Sequence, residues 1–293
     1  MKELILLTLL LGPLPAAAQG GRPPAPAASL TANFNYAAPD GLISRRSGLL
    51  GEAALGELAG LKLRLAAEGA HLRSLGPDHF PEELYKTDLR LSAENKKTRL
   101  SLNLASNSDR PFHSPSETDL GVNFARTFSE KGPHAWLWGL NYSTRRTFLR
   151  GMPMPFIGYR YTTDTITIVA PFMARWQATK TVSFSASYLP VRNFRLAAVW
   201  RPLPFFSTEL EGGSVLEQFL LAGRADKGEA FFYEAQYITL KPTLSLSRRL
   251  QITPSLGWQL KGVYYDGSSY DTHHGKKRLG GGLSLGLGVK YNF

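Results

Sequence analysis

The chain has six histidines, His71, His79, His113, His134, His273 and His274, and these are the first residues to test for chemistry. A nucleophilic site needs a histidine within hydrogen-bond reach of a serine and held in place by a third group. All six fall at the ends of extended segments or in polar loops, and no local motif resembles those of outer-membrane phospholipases, lipid A deacylases or palmitoyltransferases. His273 and His274 follow Asp271 as metal ligands might be spaced, but adjacent residues of an extended chain point apart. Cysteine is absent, so thiolate metal sites, disulfides and lipoprotein attachment are excluded. There is no Walker loop, dinucleotide fingerprint or HExxH helix. The sequence predicts no enzyme, no cofactor and no metal.

The cations carry more information. Formal charge is +11, and removal of Lys2 and Glu3 with an export signal leaves it unchanged. Basic residues recur on the polar face of alternating segments: Arg64, Arg90, Arg99, Arg160, Arg175, Arg195, Arg201, Lys241, Lys261 and Lys290, joined by Lys62 and Arg278. Glu68, Asp88, Asp119 and Glu234 oppose them. In a barrel wall this face lines the lumen, and two readings stay open. One is a water-filled pore whose basic lining favours anionic small solutes. The other is an interior of arginine–carboxylate ladders that hold the wall together. Arg145, Arg146, Arg150, Lys276, Lys277 and Arg278 collect beside inferred outer loops, where they meet lipopolysaccharide phosphates or stay solvated. Nucleic acid is excluded as a partner by export.

The elements that position these side chains are strands. From Leu279 the apolar residues Leu283, Leu285, Leu287, Val289, Tyr291 and Phe293 fall on every second position, with Gly, Ser, Lys290 and Asn292 between them. Period two is a strand, because successive Cβ atoms leave opposite sides of the pleat. Tyr291 and the final Phe293 fit the aromatic assembly signal of bacterial outer-membrane barrels, which implies the barrel assembly machinery as a partner. At the other end, Lys2, the apolar run Leu4 to Leu11 and Ala16-Ala17-Ala18 make a cleavable signal peptide over residues 1–18. Residues 19–28 are a Pro/Ala-rich lead-in and 29–293 one barrel domain. Mean hydropathy is −0.17. A membrane protein that polar must be a closed barrel, the one fold that keeps half its side chains polar and still pairs its backbone.

The same alternation recurs along the chain. It is clear at Leu61 to Ala67, Leu89 to Ala93, Leu100 to Leu104, Leu120 to Phe124 and Trp136 to Tyr142. It continues at Ile157 to Tyr161, Ile166 to Phe172, Val182 to Tyr188 and Phe194 to Trp200. Residues 205–222 and 229–247 read as long strands around an exposed Ala225-Asp226-Lys227-Gly228 tip, and 264–277 as a long polar loop. Residues 49–60 suit a weak helix or a glycine-relieved strand. About fifteen segments result, whereas bacterial single-chain barrels have an even number, which places an error within 30–58. At ~10 residues per tilted strand plus loops, the length predicts an all-β, antiparallel, up-and-down transmembrane barrel of 12 strands, with 14 as the alternate.

The segments YLPVRNF and WRPLP within residues 188–204, AGRADKGEAFFYEAQY at 222–237 and the alternating tail resemble a family of bacterial outer-membrane β-barrels of unknown function. The resemblance runs from Gly132 to Phe293 and implies fold and outer-membrane location only. The expected function is a passive pore or small-solute transporter with a basic lumen. Two alternatives stand beside it: a plugged structural barrel whose loops at 205–233 and 264–277 bind a partner or lipopolysaccharide, and, more weakly supported, a barrel enzyme acting on lipid.

Overall fold

The computed structural model describes residues 27–77, 79–146, 149–189 and 193–293. The expected signal peptide at 1–18 and most of the expected lead-in at 19–28 lie outside the described residues. The first strands are β1 (Ala28–Pro39), β2 (Ile43–Leu58), β3 (Leu61–Leu75), β4 (Glu83–Glu94), β5 (Thr98–Ser108) and β6 (Asp119–Lys131). Next come β7 (His134–Ser143), β8 (Met154–Thr162), β9 (Ile166–Ala170), β10 (Met173–Gln177), β11 (Val182–Leu189) and β12 (Asn193–Leu203). The last are β13 (Phe206–Phe219), β14 (Ala230–Ser245), β15 (Leu250–Gly267), β16 (His273–Leu279) and β17 (Gly282–Asn292).

Each strand pairs antiparallel with its chain neighbour, and β17 returns to β1 from Ser29 opposite Asn292 to Pro39 opposite Gly282, which closes the ring. Closure removes the unpaired edges that hydrocarbon does not tolerate. β16 and β17 both lie along β15, with Leu279 opposite Gly262 and Gly282 opposite Gln259. They are two pieces of one wall strand broken at Gly280-Gly281, so the seventeen segments form a barrel of 16 strands.

Sixteen replaces the expected 12 or 14. The segment missing from the sequence tally is β10, which with β9 is only five residues long, so the pair reads as one run. The 30–58 region was suspected instead, yet it holds two plain strands, and no helix forms at residues 49–60. There β2 turns into β3 through Ala59-Gly60, at φ 52° and 76°, the left-handed pair that a two-residue hairpin needs. Strands also take most of the expected loop at 264–277, leaving residues 268–272 between β15 and β16.

The outward phase is apolar and exposed: Leu30, Phe34, Leu49, Leu89, Leu102, Leu196, Leu210, Leu256 and Leu285 belong to it. Aromatic residues gather on that side at the end bearing both termini. Trp136 lies 5.1 Å from Tyr159, Trp176 5.5 Å from Phe184 and Tyr291 4.9 Å from Phe293, ring centre to ring centre. An apolar band with an aromatic girdle is the surface a bilayer requires. Connections at this terminal end are short, Ala59-Gly60 and Gly132-Pro133 among them; the longest connections, 109–118 and 220–229 among them, lie at the opposite, loop end, where 40–42 and 171–172 are also short.

Candidate functional site: a bridged mouth above a charged lumen

Strands β5 and β13 stand on opposite sides of the ring. At the loop end they nevertheless meet. The amide of Leu220 donates to the Asn107 carbonyl at 2.8 Å, and Asn107 Nδ2 donates to the Gln218 carbonyl at 3.3 Å. Above Ser214 the β13–β14 hairpin has left β12, which ends its pairing there, and crosses the mouth. Its inward face packs against the far wall: Phe219, Phe231 and Tyr264 join Leu42, Leu72, Phe80, Leu84 and Leu279 in one buried cluster. Phe80 meets Phe231 and Tyr264 edge-on at 5.3 and 5.2 Å, the favoured arrangement of two ring quadrupoles. The opposite face buries Leu216, Leu220, Ala230, Phe232 and Tyr265 under Tyr270 and Val263. The 205–222 and 229–247 segments are long strands as read, so little of the 205–233 stretch is loop, and at its tip Gly223, Ala225, Asp226 and Lys227 are exposed.

Two polar latches hold the crossing. Glu217 of β13 is buried and accepts from Arg46 of β2 at 2.7 Å and from Lys86 of β4. Contact between strands so far apart in the ring fixes their shared face as the interior. Farther out, Arg224 Nη1 donates to Glu117 at 2.9 Å and Nη2 to the Ser116 carbonyl at 2.8 Å, while the amide of Ala222 donates to Asp109 at 2.7 Å. Burial alone would push the Glu117 carboxyl up. Hydrogen bonds from Ser114 and Ser116 and the Arg224 guanidinium outweigh it and hold the group down at about 2. A depressed carboxylate stabilises the closed form above its ordinary pKa and loses that contribution as pH falls through about 2. The latch keeps its charge across the physiological range.

The pairing register places the expected lumen residues one by one. Arg64 (opposite Ser92), Arg90 (opposite Asn103), Arg99 (opposite Glu94), Arg160 (opposite Ala135) and Arg175 (opposite Ser185) share the inward phase with Arg46 and Glu217. So do Arg195 (opposite Gly213), Lys241 (opposite Glu209) and Lys290 (opposite Thr31). Arg201 lies in the register shift between Trp200 and Leu203, its amide donating to the Thr181 carbonyl at 2.7 Å. Lys261 is a correction: it stands opposite Gln236 on the outward phase. A bulge between Gln236 and Tyr237 accommodates Leu260 as an extra residue, and one extra residue flips every later side chain to the other face. Glu234 and Arg278, both opposite Val263, face outward with it.

Asp88 was read on the lumenal face, whereas the inward carboxylates Glu94, Glu130, Glu209 and Glu211 were not. Arg195 is held by Glu209 at 2.8 Å and Glu211 at 2.7 Å; Lys241 reaches Glu211 at 2.8 Å, and the Tyr237 hydroxyl donates to Glu211 at 2.7 Å. Arg90 pairs with Asp88 at 3.1 Å, Arg99 with Glu94 at 3.6 Å and Arg160 with Glu130 at 3.4 Å. Much of the expected cationic surplus is thus neutralised within the wall. Arg64, Arg175 and Lys290 have no ion pair among the described residues. The polar stripe Ser183, Ser185 and Ser187 lines the same lumen beside Arg175.

His274 Nε2 lies 2.9 Å from Glu229, the His273 ring meets Tyr265 at a tilt with centres 4.8 Å apart, and no group of three or more His, Cys, Asp or Glu able to hold a metal occurs among the described residues. Closure, an apolar outer band and a polar interior decide the class. The chain is an outer-membrane-type β-barrel. Comparison with protein-family models finds no match, and comparison with curated proteins finds none either. Solved structures with a similar barrel include an outer membrane channel from Pseudomonas putida F1, at 10% identity and TM-score 0.43 over 94% of this chain and 98% of that one. Others are outer membrane protein Omp33 of Acinetobacter baumannii (7% identity, TM-score 0.39, 92% and 98% covered) and Pseudomonas putida OprB (9%, 0.36, 91% and 93%). Likeness at this level transfers neither residue roles nor solutes.

Proposed function

We propose that this barrel is an outer-membrane pore or small-solute transporter whose passage runs through the part of the lumen that the β13–β14 hairpin leaves uncovered. Ring size carries the reading: eight-stranded walls can be filled by their own side chains, whereas rings of about 16 strands enclose water. The hairpin fills one side of the mouth with a dry cluster, and the arc from β6 to β12 faces the remainder with Asn123, Asn141, Ser183, Ser185 and Arg175. The anion bias is proposed on narrower grounds than composition suggests, namely Arg64, Arg175 and Lys290. Steps of conductance from refolded protein in planar bilayers test the pore. In a salt gradient, Arg175→Glu should move the reversal potential toward cation selectivity. Silence at all voltages would favour the plugged barrel, a reading supported by the bridge across the mouth.

Outer-membrane location is proposed with the terminal end in the periplasm, since short turns lie there and long loops outside. It gives the outward cations at the loop end a partner. Arg45 opposite Arg73, and Arg278 beside Lys261, stand exposed above the apolar band, at the level of lipopolysaccharide phosphates. Tyr291 and Phe293 keep their proposed role for the assembly machinery at the opposite end. In cells, deletion of Phe293 should lower the amount of folded barrel in the outer-membrane fraction. Arg73→Glu with Arg278→Glu should assemble, yet melt lower only in lipopolysaccharide-containing bilayers; an equal loss in plain phospholipid would reject that contact.

A further inference from the structure

Three arginines from two segments converge beside the hairpin tip, and each holds a buried donor without a hydrogen-bond partner among the described residues. Arg145 and Arg150 belong to the β7–β8 connection and Arg224 to the hairpin. Backbone contacts fix their neighbourhood: Arg145 Nη2 donates to the Pro115 carbonyl at 2.8 Å and Arg224 Nη2 to the adjoining Ser116 carbonyl at 2.8 Å. Arg150 Nη1 donates to the Gly228 carbonyl at 2.8 Å, and Arg224 Nη2 also approaches the adjacent Lys227 carbonyl at 3.3 Å. Three further donors, Arg145 Nε, Arg150 Nη2 and Arg224 Nε, are shut off from solvent without a hydrogen-bond partner among the described residues. Buried guanidinium N–H groups left unpaired are costly, and native structures supply them with an acceptor.

The nearby carboxylates are already committed. Glu117 accepts from Arg224, Ser114 and Ser116; Asp119 accepts from Ser143, Thr144 and the Arg145 amide; Asp226 accepts from the Gly228 amide. Burial lowers the Arg150 pKa, and the cations Arg145 and Arg224 lower it further, ahead of the opposing effect of Asp226 and Asp119. Excess positive charge with orphan donors is the chemistry that takes an oxyanion.

We infer that Arg145, Arg150 and Arg224 form a binding site for a soluble phosphate-bearing or similar multi-oxygen anion at the outer mouth. This deepens the channel reading by naming the solute class met first. The site is complete only while the hairpin is docked, because Arg224 travels with the hairpin and the other two do not. A bound anion therefore favours the docked hairpin, by its differential affinity for that state.

Inorganic phosphate is the probe. Calorimetric titration of the refolded full chain in lipopolysaccharide-free detergent, with ionic strength held by chloride, should show saturable binding. Arg145→Gln and Arg150→Gln should each weaken it by about tenfold, the share of one charge-assisted hydrogen bond. Arg248→Gln, on the β14–β15 turn, should leave it unchanged, and heat-modifiable migration reports that each variant has folded. Absence of saturation, parent-like affinity in both Arg145→Gln and Arg150→Gln, or binding only of lipopolysaccharide headgroups in a parallel titration would overturn the site. Calorimetry does not depend on conduction, so silent bilayers with intact phosphate binding reject the pore and spare the site, and the reverse outcome does the opposite.

Discussion

Glu217→Ala should release the hairpin from the far wall. The substitution removes the one carboxylate that bridges Arg46 and Lys86, and leaves the buried Lys86 and the partly buried Arg46 without their ion-pair partner. Breaking a buried ion pair from one side costs ~3–5 kcal/mol, more than the net value of the pair itself. The expected results are larger bilayer conductance and trypsin cleavage at Arg224 or Lys227, which the docked hairpin ties to Glu117 and to the Ala222 carbonyl. Replacing all three partners with apolar residues (Arg46→Met, Lys86→Met and Glu217→Leu together) should restore closure, since it leaves no stranded charge. If Glu217→Ala conducts and resists trypsin as the parent does, the crossing is held by the aromatic cluster alone.

The second large effect tests the wall. Leu256 sits on the outward phase between Leu240 and Leu285, 53% exposed, and Ser255 is its inward neighbour opposite Gly286. Leu256→Arg should lower the unfolding free energy by ~2–4 kcal/mol, the cost of arginine at the bilayer midplane. Ser255→Arg, one residue away, puts its charge on the inward, aqueous phase and should cost far less. Urea titrations of both variants in lipid vesicles compare them directly. Equal losses would mean that the two phases do not face different solvents.

Most of the wall was legible because period two is a local signal. The Leu283 to Phe293 alternation, the Leu61 to Ala67 face and the Trp136 to Tyr142 face each stand in the structure as read. What the sequence hides is long-range or one residue wide. β9 and β10 are each too short to show a period, so the strand count fell. The bulge at Leu260 leaves no compositional mark, and with it went the facing of Lys261, Arg278 and Glu234. Carboxylates such as Glu130, Glu209 and Glu211 lie near strand ends or in runs that read as turns and long strands without a set phase. Their arginine partners become visible only once strands are paired. The site at the mouth was the least legible, since Arg46 and Glu217 are 171 residues apart and nothing in either segment points to the other.

The short strands also shape the surrounding lipid. Five residues of ladder in β9 and in β10 span ~17 Å at most, while the hydrocarbon band of such barrels is ~25 Å tall. On the opposite flank β15 runs for 18 residues. A wall of unequal height pinches the bilayer on its low side, where acyl chains must splay or thin to meet it.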